Sequence, residues 1–234
     1  MIVLGIETST QQTSVAVGSE QGILSGAVVG APQPKHDLAA PTVERVLAWA
    51  DVPLASLGGI AVGLGPGLFT GMRVGIATAK TLAQVLSLPL VGIASLDLLA
   101  YPARYGRRLI CATIDAKRSE VFFAFYRPVP GGVARQSEVQ VRPPDRLASE
   151  LEAAGEDILL VGNGGITYRR QLEDAGRHVE FGSTALAYPS AAALVELAVP
   201  RFLREEYDRP YDVQPLYVRK SDAEIAWDQR RRTG

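Results

Sequence analysis

The sequence predicts an α/β fold built from two similar lobes, and three observations carry that prediction. Short strands rich in β-branched residues open each half, strands and helices then alternate, and one half aligns with the other. Setting Glu7 against Asp115 superposes LGIETSTQQTSVAVG on ATIDAKRSEVFFAFY. Each stretch is a strand ending in an acid, a polar turn and a second strand, which is the pattern of an internal repeat. Two mixed sheets flanked by helices and facing one cleft follow, and a single mixed sheet is the competing topology.

VLGIET, TSVAVG and ILSGAVV read as three meandering strands joined by the QQ stretch and SEQG. Residues 36–50 place Ala39, Val43, Val46, Leu47 and Ala50 at helical spacing, with Pro41 near the start, so a helix covers the sheet there. GGIAVGLGPG is a strand apolar on both faces; its glycine loop leads into a helix over about 71–87, and LPLVGIA is the fifth strand. YPARYGRR breaks the pattern and sets the lobe boundary, giving residues 1–102 and 103–234. Beyond it come LICATIDAKRSEVFFAFY, a strand near 137–141, a helix over about 145–154, the strand DILLVGN, and helices near 168–175 and 190–206. The last helix is expected to pack back on the first lobe.

Of the 234 residues 47% are hydrophobic, enough for a substantial core. Lys and Arg number 24 against 25 Asp and Glu, and the net charge of -1 gives no overall field to draw in nucleic acid. The single cysteine, Cys111, lies in the apolar run LICATI, so it reads as a small hydrophobe in a strand. No disulfide framework can form, which fits a reducing cytosol. The start lacks a basic leader, and no apolar run reaches the roughly 20 residues that cross a bilayer, so a cytoplasmic protein without membrane contact is expected.

The loop GLGPGLFTG joins a strand to a helix, where free N–H groups and the helix dipole can hold an anion. It has neither the Walker Gly-Lys-Ser/Thr nor dinucleotide spacing, and glycines serving a tight turn are the other reading. Along the next helix Gly71, Gly75, Ala79 and Ala83 form a row of small residues, while the polar stripe is only Arg73, Lys80 and Gln84. Burial on two sides is implied, by the chain's own lobe or by a second chain. Glu7, with Thr8 and Ser9, and Asp115 opposite are placed to hold Mg²⁺ or a phosphate, or to cap turns. GNGG at 162–165 similarly either approaches an adenosine or turns the chain. His36 reads as a helix-start residue and His178 lies far from it in sequence; HExxH and GxSxG are absent. No catalytic residue, metal ligand or cofactor is therefore assigned. DQRRRTG reads as a solvated tail, with a phosphate-seeking role left open.

GLGPGLFTGMRVGIATAKTLAQVLSLPLVGIASLDLLA, with LGIETST, HDLAAPTVERVL, TIDAKRSEVFFAFY and QPLYVRK, resembles the TsaB (YeaZ) proteins, paralogues of TsaD, over nearly the whole chain. The resemblance implies a two-lobed actin-like ATPase (ribonuclease-H-like) fold. It also implies a non-catalytic subunit that binds and activates TsaD in threonylcarbamoyl transfer to tRNA adenosine beside the anticodon. The TsaD-like sister carries a metal-binding His-x-x-x-His pair, and the matching positions here are Ser95 and Leu99. Pairing through the first lobe's two helices makes Val43, Val46, Leu47, Met72, Arg73, Gly75, Ile76, Ala79, Lys80 and Ala83 the candidate partner-binding residues. Bulky residues at Gly75 or Ala79 are then expected to break the pairing and spare the fold. A homodimer of the isolated chain, an added TsaE-like ATPase and only indirect tRNA contact complete the expectation. An ATP-dependent phosphotransferase using Glu7 and Asp115 is the runner-up, and a metalloprotease reading lacks a ligand cluster.

Overall fold

The computed structural model describes residues 1–30 and 38–219. His36 and the arginine-rich end lie outside the described residues. The first half forms β1 (Val3–Glu7), β2 (Gln12–Ser19), β3 (Gly22–Gly30), α1 (Ala39–Trp49), β4 (Gly59–Gly63), α2 (Phe69–Leu86), β5 (Leu90–Ile93) and α3 (Ser95–Ala100). The second forms β6 (Leu109–Lys117), β7 (Glu120–Val129), β8 (Gly132–Arg135), β9 (Gln140–Arg142), α4 (Pro144–Ala153), β10 (Ile158–Val161), α5 (Asn163–Thr167), α6 (Arg169–Leu172), β11 (Val179–Phe181) and α7 (Ala191–Leu203).

The strands make two sheets of matching design. The first runs β3-β2-β1-β4-β5 and the second β8-β7-β6-β10-β11. In each, the first three strands are antiparallel and the last two run parallel to the first. The internal repeat is thus a repeat of topology, with β6 in the place of β1. Its third strand comes in two pieces: β8 pairs with β7 at Tyr126–Val129 and β9 pairs with it at Val121–Phe123.

Central strands β1, β4 and β6 are apolar on both faces because helices cover both. Edge strand β3 alternates exposed and half-buried residues, as one wet side requires. Leu4, Ile6 and Ile60 pack under α1 and α2, while Val3, Ala61 and Val91 pack under α7 through Leu194, Val195 and Phe202. On the second sheet, Cys111 and Phe123 meet α4, and Ile110, Ala112 and Ile114 meet Leu96 and Leu99 of α3. Leu98 belongs instead to the α7 cluster, so α3 is buried between the two sheets. Helix α2 stops at Ser87, which takes a left-handed φ of 55° while Leu88 N–H bonds Ala83 O, and Pro89 follows.

Four elements have no counterpart in the sequence reading. α3, β8, α5 and β11 span only six, four, five and three residues, too few for any periodicity to show. No helix among the described residues is long and apolar enough to cross a membrane.

Candidate functional site at the lobe junction

Glu7 ends β1 with no solvent exposure. Ser9 N–H donates to Oε1 at 2.6 Å and Ser95 Oγ–H donates to Oε2 at 2.8 Å. Burial raises its pKa above the usual carboxylate range, against the opposing pull of the Ser9 and Ser95 hydrogen bonds. Gly63 on β4 leaves room for this carboxyl, since a Cβ there would overlap Oε2. Ser95 opens α3 fully buried; its Oγ also accepts Gly65 N–H at 3.1 Å, and its own N–H donates to Gly65 O at 2.7 Å. One serine thus ties the glycine loop, the end of β1 and the inter-sheet helix together. Leu99, one turn on, is 2% exposed and packs into the second core.

The glycine loop and the first two members of the α2 row, Gly71 and Gly75, receive the Thr8–Ser9 segment of the chain itself. Leu68 N–H bonds Ser9 O at 2.6 Å and Thr8 Oγ–H bonds Gly71 O at 2.7 Å. A Cβ at Gly67 would overlap Ser9 O, and one at Gly75 would overlap Thr8 Oγ1. The expectation that bulk at Gly75 or Ala79 spares the fold is therefore corrected: both are buried inside the lobe, and overpacking there strikes the chain's own core.

Asp115 occupies the equivalent strand end on β6 but a different environment. Lys117 Nζ–H donates to its Oδ2 at 2.7 Å, Lys117 N–H donates to Oδ1 at 2.8 Å, and Tyr168 Oη–H donates to Oδ1 at 3.0 Å. Burial first, then the Asp115 hydrogen bond, pushes the Tyr168 phenol up to about 12. No hydrogen bond or ion pair joins Asp115 to Glu7. GNGG at 162–165 sits against β6: a Cβ at Gly162 would overlap Thr113 O, and Gly165 N–H bonds Thr113 Oγ1 at 2.9 Å. Its glycines serve close packing.

His178 is half-buried with Nε2 3.0 Å from Leu151 O, and Cys111 is buried with its thiol pKa pushed up by desolvation. Among the described residues no three His, Cys, Asp or Glu side chains gather where a metal could be held. The donor set at the positions matching the sister's histidines does not fit a metal: one hydroxyl is committed to Glu7 and Gly65, and the other position is an isobutyl group in a core. Sequence reasoning missed the Ser95 bridge and the Lys117 and Tyr168 partners of Asp115. Only Lys117, two residues past Asp115, left a local signal.

Of the ten candidate partner-binding residues, Val43, Val46, Leu47, Met72, Gly75, Ile76, Ala79 and Ala83 are buried in the chain's own structure. Arg73 is exposed and Lys80 is half-buried. Arg73 lies 3.8 Å over the Phe69 ring and donates to Tyr217 Oη at 2.8 Å. Between α1 and α2 runs an apolar groove of about 330 Å³, lined by Val43, Leu47, Val52, Leu54, Thr78 and Leu82, with Ala40 and Glu44 at its rim.

Twin sheets of this order, joined across a buried inter-sheet helix, define a two-lobed actin-like ATPase fold. A family model described as "TsaD: tRNA N6-adenosine threonylcarbamoyltransferase" matches residues 33–227. The tRNA threonylcarbamoyladenosine biosynthesis protein TsaB of Escherichia coli is 27% identical over 97% of both chains, and that of Bacillus subtilis is 29% identical over 97% of this chain and 98% of its own. The structure of YeaZ from Pseudomonas aeruginosa superposes with a TM-score of 0.79 at 30% identity, covering 92% of this chain and 99% of that one. The chain belongs to the TsaB (YeaZ) family of tRNA threonylcarbamoyladenosine biosynthesis proteins, within the wider TsaD family.

Proposed function

We propose that the chain is a non-catalytic cytoplasmic subunit that binds a TsaD-like sister and activates threonylcarbamoyl transfer to tRNA adenosine beside the anticodon. The observation that carries this reading is the fate of Ser95 and Leu99. Where the resemblance places the sister's metal-binding histidines, this chain has a hydroxyl locked by Glu7 and Gly65 and a leucine inside a core. A Lewis-acid site needs lone pairs aimed at open space, and neither side chain offers one.

The sister docks on the first lobe, residues 1–102, with residues 103–234 forming the second. Its seat is the α1–α2 face, where Val43 and Leu47 line the groove and their buried neighbours hold both helices in place. Trp49, Leu54 and Val85 leave large apolar side chains in solvent on these two helices and the turn after α1, which a partner surface would cover. A second copy takes the same seat when the sister is absent, and a TsaE-like ATPase joins the pair.

Leu54→Glu and Ala40→Glu put charge into the groove at exposed positions. Each is expected to abolish co-purification with the TsaD-like subunit and, with it, tRNA modification in a reconstituted mixture, while leaving the melting curve of the chain within about 2 °C. Undiminished association of both variants would overturn the docking face. Modification by the isolated chain would overturn the non-catalytic role.

A further inference from the structure

On the far side of the lobe connection, the segment after α3 forms a surface the docking face does not use. Arg104 lies over two rings at once, 3.8 Å from the Tyr101 centroid and 4.4 Å from that of Tyr105. Its guanidinium also donates to Tyr101 O at 2.9 Å and to Tyr105 Oη at 2.7 Å, so the outer ring is held in place although Tyr105 is 83% exposed. Beside it lies an open cleft of about 730 Å³, whose other wall is the β7–β8 hairpin at Pro128, Val129 and Pro130. Arg107, exposed and without an ion pair among the described residues, also lines the cleft. No carboxylate lines it; Glu196 and Glu180 pair with Arg104 and Arg108 from outside.

We infer that this cleft binds an unpaired stretch of RNA, one base stacking on Tyr105 and the adjoining phosphate meeting Arg107. The chemistry selects the ligand. An exposed aromatic face that is already immobilised accepts a planar base with little further loss of freedom, and a cationic lining without acids accepts a phosphate. An acidic peptide matches the charge but brings no planar face for Tyr105. This departs from the expectation of only indirect tRNA contact, which rested on the net charge of -1, because the field that acts at a cleft is the local one. The preference for RNA over DNA rests on the proposed function; the stacking site itself does not.

The test is fluorescence anisotropy of the full-length chain with a labelled unstructured RNA decamer at low salt. Tyr105→Ala and Arg107→Ala are each expected to weaken binding about tenfold. Tyr105→Trp should retain it, and all three variants should still co-purify with the TsaD-like subunit. The inference is overturned by absence of RNA binding, by binding indifferent to both alanine variants, by single-stranded DNA binding in place of RNA, or by poly-glutamate competing as well as RNA does.

Discussion

The two lobes present the same strand end twice and treat it differently. At the end of β1, Glu7 is sealed from water and satisfied by one backbone N–H and one hydroxyl, with no cation bonded to it. At the end of β6, Asp115 has a lysine ammonium, a backbone N–H and a phenol. The turns differ in the same sense. The segment after Glu7 is held by α2, through Thr8 to Gly71 and Leu68 to Ser9. The segment after Asp115 is a hairpin with a two-residue turn, Arg118 and Ser119, and these and Lys117, the strand residue before them, all have positive φ, between 54° and 62°. A repeated scaffold fixes where an acid sits; the neighbours that scaffold collects decide what the acid is. Each acid takes a backbone N–H two residues on and a hydroxyl from a distant segment, and the difference is the Lys117 ammonium, which only Asp115 has.

That contrast can be broken from the first lobe. Gly63→Ala drives a methyl group into the Glu7 carboxyl, which is already pinned by Ser9 and Ser95. The expected loss is about 3–5 kcal/mol, combining overpacking with a displaced buried carboxyl, and Tm falls by roughly 10 °C in a thermal melt. A loss below about 1 kcal/mol would show that the enclosure of Glu7 is looser than described.

A second experiment sharpens the comparison through pH. Because burial raises the pKa of Glu7 in the folded state, the folded chain holds that proton more tightly than the unfolded one. The group's contribution is therefore fully favourable below the unfolded value of 4.5 and is lost as pH rises through the folded value. Glu7→Gln removes this dependence, so the stability of the variant relative to the parent should increase from pH 4 to pH 8 in denaturant titrations. A difference that stays flat, or shrinks with rising pH, would refute the buried-acid account.

The smallest effect belongs to the second lobe. Its turn places Arg118 and Ser119 where a tight hairpin favours residues tolerant of positive φ. Ser119→Gly relieves that strain and gives back part of the gain as unfolded-state entropy, so an increase of about 0.5 kcal/mol is expected. Equilibrium unfolding checks it, and a decrease would mean that the serine side chain holds the turn.

By itself the sequence determined the two-lobed α/β class, the major strands and helices, and the alignment of Glu7 with Asp115. These are written in local periodicity and in a repeated strand-turn-strand pattern, which one dimension carries well. The short elements α3, β8, α5 and β11 were illegible because each is stabilised by what it packs on. The motif substitution at Ser95 and Leu99 could be read as missing ligands, but not that Ser95 bridges Glu7 to Gly65, since those partners are 88 and 30 residues away. The small-residue row of α2 was equally visible, while its occupant was not: periodicity shows that a backbone can approach, and only the tertiary structure shows that Thr8 of the same chain already does at Gly71 and Gly75. A helix face is a local property of the sequence, whereas the atoms that meet it are brought there by the folding of distant segments.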